Sequence, residues 1–539
     1  MVALTATALN PLTDHYAQTG AIGSTLVWEL LRDLAETNPN DLAIVDGDVR
    51  LTFAEYWYRV ESLAVSLTSL GVGPGTCVVY QLPNWWEHLV AHLAIVRAGS
   101  VAVPVVTMFR EHELRHIFAE LEPSCVIVAG QASDISPAAV ARRSLADAGH
   151  DCPLVVVRPL EVDGLDFADL LAAAPDPSVI APPASPSDVC AVIYTSGSTG
   201  SPKGVLHTHQ TLLCDAKSRI DDFGITSADV IFMPSSLAHI AGLSYGAHLP
   251  LLAALPTIVV DRWSPVDAVE LIERHQATIM NGAPLMLRGL TEEYGRSGQK
   301  SRLRVFACGG ADVSEQLVHD AARVLGSFVT RAYGCSEIPT LTWGGLKDDP
   351  ARVASTDGRA IGAVELRVVS DDGSILGVDE VGECEAIGPE RCVGYVDPDL
   401  NSELFTADGW VRTGDLVSID ADGYLTVRGR KKDIIVRAGE NISAREIELL
   451  LLDHPDVEDT AVVPIPDERL GEKACAFVVL GEGRRLELDD VKQYFAAQGV
   501  AKIKWPESLR VVGALPRTGF GKVDKPQLRS MLAKENADR

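Results

Sequence analysis

From about residue 50 to residue 340, short apolar runs alternate with amphipathic segments, and this rhythm restricts the fold more than any other feature. AEYWYRVESLAVSLTSLG carries a helical stripe that stops at Gly71, and CVVYQL follows as an apolar run of strand length. WWEHLVAHLAIVRAG and VAVPVV repeat the pattern, which returns in VDAVELIERHQA, TIMNG, RVFACGG, SEQLVHDAARVLG and FVTRAYG. Strands without polar alternation must be covered on both faces, and the intervening helices supply the cover. Parallel sheets flanked by helices are therefore expected.

The rhythm changes after residue 355. AIGAVELRVVSDDGSILG and GYLTVRGR read as hairpins with Asp-Gly turns, so a β-rich section closes the large unit. From about residue 430 a smaller α+β unit is predicted: strand DIIVR, a helix opening at SAREIELLLLDHP with Ser443 and Glu446 at capping-box spacing, strands TAVVPI and KACAFVVL, a helix near VKQYFAAQG and a last strand SLRVVG. A chain of 539 residues exceeds one ordinary core. The expected fold is α/β, with an N-terminal domain over 1–430 and a C-terminal domain over 431–539.

One loop departs from this scaffold. After the apolar run VCAVIY stands TSGSTGSPKG, with hydroxyls at Thr195, Ser196, Ser198 and Thr199, glycines at Gly197 and Gly200, and one cation, Lys203. Glycines let backbone N–H groups turn inward, and hydroxyls and a lysine complete a cradle for phosphates. The Walker pattern fails here, because Pro202 stands where its second glycine belongs and Gly204 follows the lysine. A plain Gly/Ser linker is the bland alternative, though a linker has no reason to follow a buried strand.

The formal net charge of −27 excludes a general nucleic-acid binder, which needs a basic footprint, so a polyanionic ligand must meet a local cationic patch or bring a metal ion. Ten cysteines without a CxxC pair read as reduced thiols. No apolar window reaches membrane-spanning length, and MVALTATALNPLTDHYAQTG lacks the pattern of a secretory signal, so a cytoplasmic protein is expected. A homo-oligomer is compatible with all of this.

YTSGSTGSPKGV resembles the phosphate-binding signature of the ANL superfamily of adenylate-forming enzymes, which includes acyl-CoA synthetases, peptide adenylation domains and luciferases. Further motifs similar to that family's follow in order: RAYGCSE at 331–337, WVRTGD at 410–415, GRKKDIIVRAGENISAREIE at 429–448 and PRTGFGKV at 516–523. The resemblance runs from about residue 25 to 535. It implies a mobile C-terminal domain that reorients over a nucleotide crevice between two half-reactions.

The resemblance also implies roles. Thr195, Ser196, Gly197, Ser198, Thr199 and Gly200 would cradle the β- and γ-phosphates of ATP, with Lys203 and Ser336 beside them; Ser336 stands where the family usually has Thr. Glu337 would bind Mg²⁺, whose ordinary ligands are a carboxylate and phosphate oxygens; its bland reading is a strand-end carboxylate capping a helix. Gly310, Ala311, Tyr333 and Gly334 match the adenine slot, and Asp415 and Arg430 the ribose contacts. Tyr333 is also readable as core and Asp415 as a turn residue. Lys522 would be catalytic, bridging the carboxylate and the α-phosphate as charge develops there. Lys432 matches the hinge, and Gly439 the loop that leaves room for the pantetheine arm of coenzyme A. For the acyl group the candidates are His239, Ala241, Asn281, Gly309 and Ile338; His239 is equally readable as a core histidine.

The implied function is an AMP-forming acyl-CoA synthetase acting on a fatty, cyclic or aromatic carboxylic acid with ATP and CoA. The alternative is an acyl-AMP ligase loading a carrier-protein pantetheine. A silent nucleotide sensor is a third reading, disfavoured by the intact Glu337, Asp415, Arg430 and Lys522, and a hydrolase lacks its GxSxG elbow. HTH at 207–209 is too little for a metal site.

Overall fold

A computed structural model describes residues 4–130, 136–159, 164–181, 184–195, 202–437, 440–467, 469–518 and 522–537. The alternating region forms two sheets. One has nine strands, with a parallel centre that includes Ile279–Gly282, Val305–Gly309 and Phe328–Cys335. The other has seven, all parallel until the antiparallel pair Val189–Thr195 and Lys203–Thr208 at its edge. The predicted strands Cys77–Gln81 and Val101–Pro104 are buried at every residue, as two-sided cover requires. Each fully buried Val, Leu or Ile side chain contributes about 1.5–3 kcal/mol, and the apolar positions of the Phe53–Ser69 and Trp86–Arg97 helices supply many of them.

The β-rich section is a four-stranded antiparallel sheet of Glu365–Val369, Gly382–Ile387, Val411–Ile419 and Leu425–Arg430. The C-terminal segment builds a separate five-stranded sheet with its own apolar clusters. There Ile434–Arg437 pairs with Glu440–Ser443 and Gly471–Leu480, while Val457–Asp467 and Ser508–Val511 flank the latter. A closing helix, Lys525–Ala537, was not foreseen from the sequence. The capping box at the Ala444–Leu452 helix is half made. Ser443 Oγ accepts the Glu446 amide, but the Glu446 carboxylate goes to Lys504 Nζ at 2.5 Å instead of turning back.

Candidate active site

The hydroxyl-rich loop joins two antiparallel strands, with Thr195 opposite Lys203 in the register. Ser196, Gly197, Ser198, Thr199 and Gly200 lie outside the described residues. Lys203 Nζ sits 5.5 Å from the centre of the Tyr395 ring and 3.9 Å from Glu403 Oε2. Tyr395 in turn donates its phenol hydrogen to Glu337 Oε1 at 2.6 Å. A line of side chains thus runs from the base of the loop to the carboxylate.

Glu337 owes its position to a tight hairpin. Phe328–Cys335 and Ile338–Trp343 are antiparallel, and Cys335 opposes Ile338, which leaves Ser336 and Glu337 as the two-residue tip. Glu337 therefore caps no helix, contrary to its bland reading. Gly334 is required at the approach, because a Cβ there would come 2.1 Å from the Pro339 carbonyl oxygen. Below the tip, buried His207 donates from Nε2 to the Ser336 carbonyl at 2.7 Å, and its burial lowers its pKa.

Asp415 is buried within the strand Val411–Ile419, not in a turn. Its Oδ2 accepts the Tyr333 hydroxyl at 3.0 Å, and its Oδ1 lies 2.9 Å from Arg430 Nε on the neighbouring strand. Asp415 chiefly holds the Arg430 guanidinium above its ordinary pKa. Gly309 ends a parallel strand so close to its neighbour that a Cβ would meet the Ala332 carbonyl oxygen at 2.7 Å. Gly310 follows at φ +83° and, with Ala311, is exposed. Gly309 and Tyr333 lie at carboxyl ends of parallel strands, where open α/β sheets bind ligands, and the Tyr333 hydroxyl joins that edge to Asp415 of the antiparallel sheet.

Lys522 comes from the C-terminal unit. Its carbonyl accepts the Thr518 amide at 2.7 Å, and residues 519–521 between them lie outside the described residues. Burial, and then the charge of Arg430, lowers the Lys522 pKa, while Asp415, Cys335 and Glu337 pull it back up. The half-buried ammonium thus lies within electrostatic reach of Arg430, Asp415 and Glu337. His239 feels it as well: burial, and then Lys522, holds that ring at about 4. His239 is the N-cap of the short Ile240–Leu243 helix, and its Nδ1 accepts the Ala241 amide at 3.4 Å.

Asn281 is buried and donates to the Ala307 carbonyl at 3.3 Å from the strand next to Gly309, and Ile338 is fully buried behind the Glu337 tip. Ala241 is half-buried. Lys432 lies in a single turn, Lys431–Asp433, that joins the β-rich sheet to the C-terminal one. The GRKKD bases are not a free patch, since Arg430 pairs with Asp415 and Lys431 with Asp371 and Glu383. Gly439 lies outside the described residues. Sequence reasoning missed Tyr395 and His207 as neighbours of the Glu337 tip; Tyr395 is 58 positions downstream and in no motif.

Among the described residues no group of three or more His, Cys, Asp or Glu is arranged to hold a metal ion. The HTH histidines instead bond the Ser336 carbonyl and the Val27 amide. The ten cysteines are free, and no described helix is long and apolar enough to cross a membrane.

Comparison with known proteins adds to this geometry. Residues 31–396 match the family model of the AMP-binding enzyme, and residues 446–522 that of the AMP-binding enzyme C-terminal domain. The medium-chain fatty-acid–CoA ligase of Escherichia coli strain K12 is 32% identical over 521 residues, covering 95% of this chain and 92% of that protein. The salicyl-AMP ligase / salicyl-S-ArCP synthetase of Mycobacterium tuberculosis is 34% identical over 511 residues, covering 92% and 89%. The crystal structure of ATP-bound MatB from Rhodopseudomonas palustris superposes with a TM-score of 0.83 at 28% identity, covering 94% and 99%.

Proposed function

The chain belongs to the family of AMP-binding enzymes, and from that premise we propose that it is an ATP-dependent acyl-CoA synthetase. A carboxylate oxygen attacks the α-phosphorus of ATP, giving acyl-AMP and pyrophosphate. The thiol of CoA then attacks the acyl carbon, giving the thioester and AMP and releasing the thiol proton. The first step brings two anions together, so its cost is electrostatic.

The observation that supports this reading is the Asp415–Arg430 pair bonded by Tyr333, with the charges of Arg430, Asp415 and Glu337 all acting on Lys522. Lys522 is the only one of these contributed by the C-terminal unit, so it can neutralise charge at the α-phosphate from an element separate from those that carry the nucleotide contacts. Asp415 accepts from ribose hydroxyls while Arg430 and Tyr333 hold its carboxylate in place. Gly310 and Ala311 offer an exposed backbone edge to adenine. In this reading Ser336, Thr195 and Lys203 would serve the phosphates, and His239, Ala241, Asn281, Gly309 and Ile338 the acyl group. Gly439 and Lys432 serve as the CoA-facing residue and the hinge.

Mg²⁺ takes one or two carboxylates and fills its shell with phosphate oxygens and water. Glu337, with the Tyr395 phenol already directed at one of its oxygens, fits as that carboxylate. Bound there, the ion would offset phosphate charge.

Relatives of this chain include both a CoA ligase and an enzyme named for loading a carrier protein. The test is pyrophosphate release across fatty, alicyclic and aromatic acids, with and without CoA. CoA-dependent AMP and thioester formation is expected. Acid-dependent pyrophosphate release with no response to CoA would assign the chain to carrier loading instead.

A further inference from the structure

The helix Ala444–Leu452 is fastened to the large lobe at its first turn. Ser443 Oγ donates to the Arg428 carbonyl, and Arg445 Nη1 donates to the Val427 carbonyl at 2.8 Å. The same guanidinium meets two carboxylates of the large lobe, with Nε 2.7 Å from Asp312 and Nη2 3.7 Å from Asp357. The Arg445 and Asp357 side chains are 11% and 8% exposed, so that arm is shielded from the screening that weakens surface pairs, while Asp312 at 32% is partly open to it. Asp357 is itself held, since its Oδ2 accepts the Val427 amide at 2.8 Å, and Arg331 approaches it at 3.9 Å from the other side. Asp312 directly follows Gly310 and Ala311 of the adenine edge.

One turn further along the same helix, Glu448 points back to the Lys522 segment. Its Oε1 lies 2.8 Å from Lys525 Nζ, three residues beyond Lys522, and it accepts the Val462 amide at 2.6 Å. Lys525 also lies 3.7 Å from Asp433, beside the hinge turn. The helix is thus a bar with Arg445 clamped to the large lobe and Glu448 clamped to the base of the lysine loop. Residues at i and i+3 share one face, so the two clamps act along one line.

We propose that Arg445 is a positioning residue that holds Lys522 in the crevice by pinning this helix to Asp312 and Asp357. The proposal rests on the reading of Lys522 as the residue of the adenylating step. Arg445 touches no reacting atom. It stabilises the lobe orientation in which Lys522 faces the nucleotide, and thereby sets how much of the enzyme is poised for that step.

The experiment is hydrogen exchange by mass spectrometry on the full chain without substrates, comparing wild type with Arg445→Ala and Asp312→Asn. Peptides spanning 309–314, 443–452 and 515–525 are expected to exchange about tenfold faster in both variants, a typical size for one coupling between elements. The buried strand Val101–Pro104 should be unchanged, and Arg445→Lys should restore part of the protection. Unchanged exchange at those three peptides in both variants overturns the proposal. If Arg445→Ala exchanges faster everywhere, Asp312→Asn, which leaves the helix intact, decides alone. With octanoate or benzoate as the acid, both variants should lose about tenfold in ATP–pyrophosphate exchange while keeping thioester formation from supplied acyl-AMP and CoA. Equal loss in both half-reactions also overturns it. Wild-type enzyme with no exchange on any acid would sink the functional reading and leave the hydrogen-exchange result to judge the bridge.

Discussion

Arg430 Nε lies 2.9 Å from Asp415 Oδ1, and the two residues are direct partners across the Val411–Ile419 and Leu425–Arg430 strands. The pairing joins the TGD motif to the GRKKD motif, 15 positions apart in the chain. It presets a carboxylate that is buried and also bonded by Tyr333. Asp415→Asn removes the charge and leaves Arg430 facing a neutral amide. Hydrogen bonds to charged groups are worth about 1.5–3 kcal/mol, so KM for ATP should rise roughly tenfold to hundredfold. KM for the acid should change little. An unchanged KM for ATP would remove Asp415 from the nucleotide site.

Lys522→Ala should abolish acyl-AMP formation and largely spare thioester formation from supplied acyl-AMP. The pH dependence carries a sign. Burial and Arg430 lower the Lys522 pKa, so its ammonium is lost at lower pH than that of a free lysine. The adenylating rate should therefore fall on the alkaline side below the ordinary lysine range, and that limb should be missing in Lys522→Ala. Because the unfolded chain binds this proton more tightly, the charged lysine destabilises the fold below its native pKa. Lys522→Met should raise the thermal midpoint at pH 7, and a lowered midpoint would contradict the burial argument.

Much of this was legible in the sequence. The apolar runs without polar alternation named the parallel strands, because two-sided cover leaves no polar face, and the Asp-Gly turn at Asp422 marked the hairpin before Arg430. Motif order singled out Glu337, Asp415, Arg430 and Lys522 as candidates. What escaped were contacts made by tertiary approach alone. Tyr395 reaches Glu337 from 58 positions away, and Arg445 reaches Asp312 from the other lobe, neither with a local spacing to betray it. Glu446 shows the limit of a local rule. Its spacing from Ser443 forecast a reciprocal cap, yet Lys504 offered a charged partner, and charge-assisted pairs outbid a neutral amide.

His239 should not titrate in the working range. Burial, and then Lys522, holds it at about 4, and its Nδ1 already accepts an amide hydrogen. Its ring resonances should stay fixed between pH 5.5 and 9 in an NMR titration. His239→Gln should leave the shape of the pH–rate profile unchanged even where KM for the acid moves. A profile limb near pH 6.5 that vanishes in this variant would give His239 a proton-transfer role that its surroundings do not support.

Gly334→Ala should damage the Glu337 tip. The added Cβ would lie 2.1 Å from the Pro339 carbonyl oxygen, a backbone atom that cannot rotate away. The hairpin must open, at a cost of about 1–3 kcal/mol for overpacking, and Glu337 and Ser336 shift with it. Pyrophosphate release should drop at least tenfold with a lowered thermal midpoint, whereas Gly310→Ala, with nothing within 4 Å of its Cβ but φ +83°, should show the smaller effect of backbone strain.

Glu390 is buried, and burial pushes its carboxyl from 4.5 up to about 8. Between those values the folded chain keeps a proton that the unfolded chain has lost. The contribution of this group to stability is complete below pH 4.5 and declines as pH rises towards 8, by about 1.4 kcal/mol per pH unit for one proton. Glu390→Gln keeps the shape and removes the ionisation. From pH 5.5 to 7.5 the wild type should therefore lose up to about 3 kcal/mol relative to that variant, read from denaturant midpoints at the two pH values. Parallel stability curves for the two proteins would mean that Glu390 is ionised and paired at neutral pH, with Arg219 a cation whose charge already favours that form.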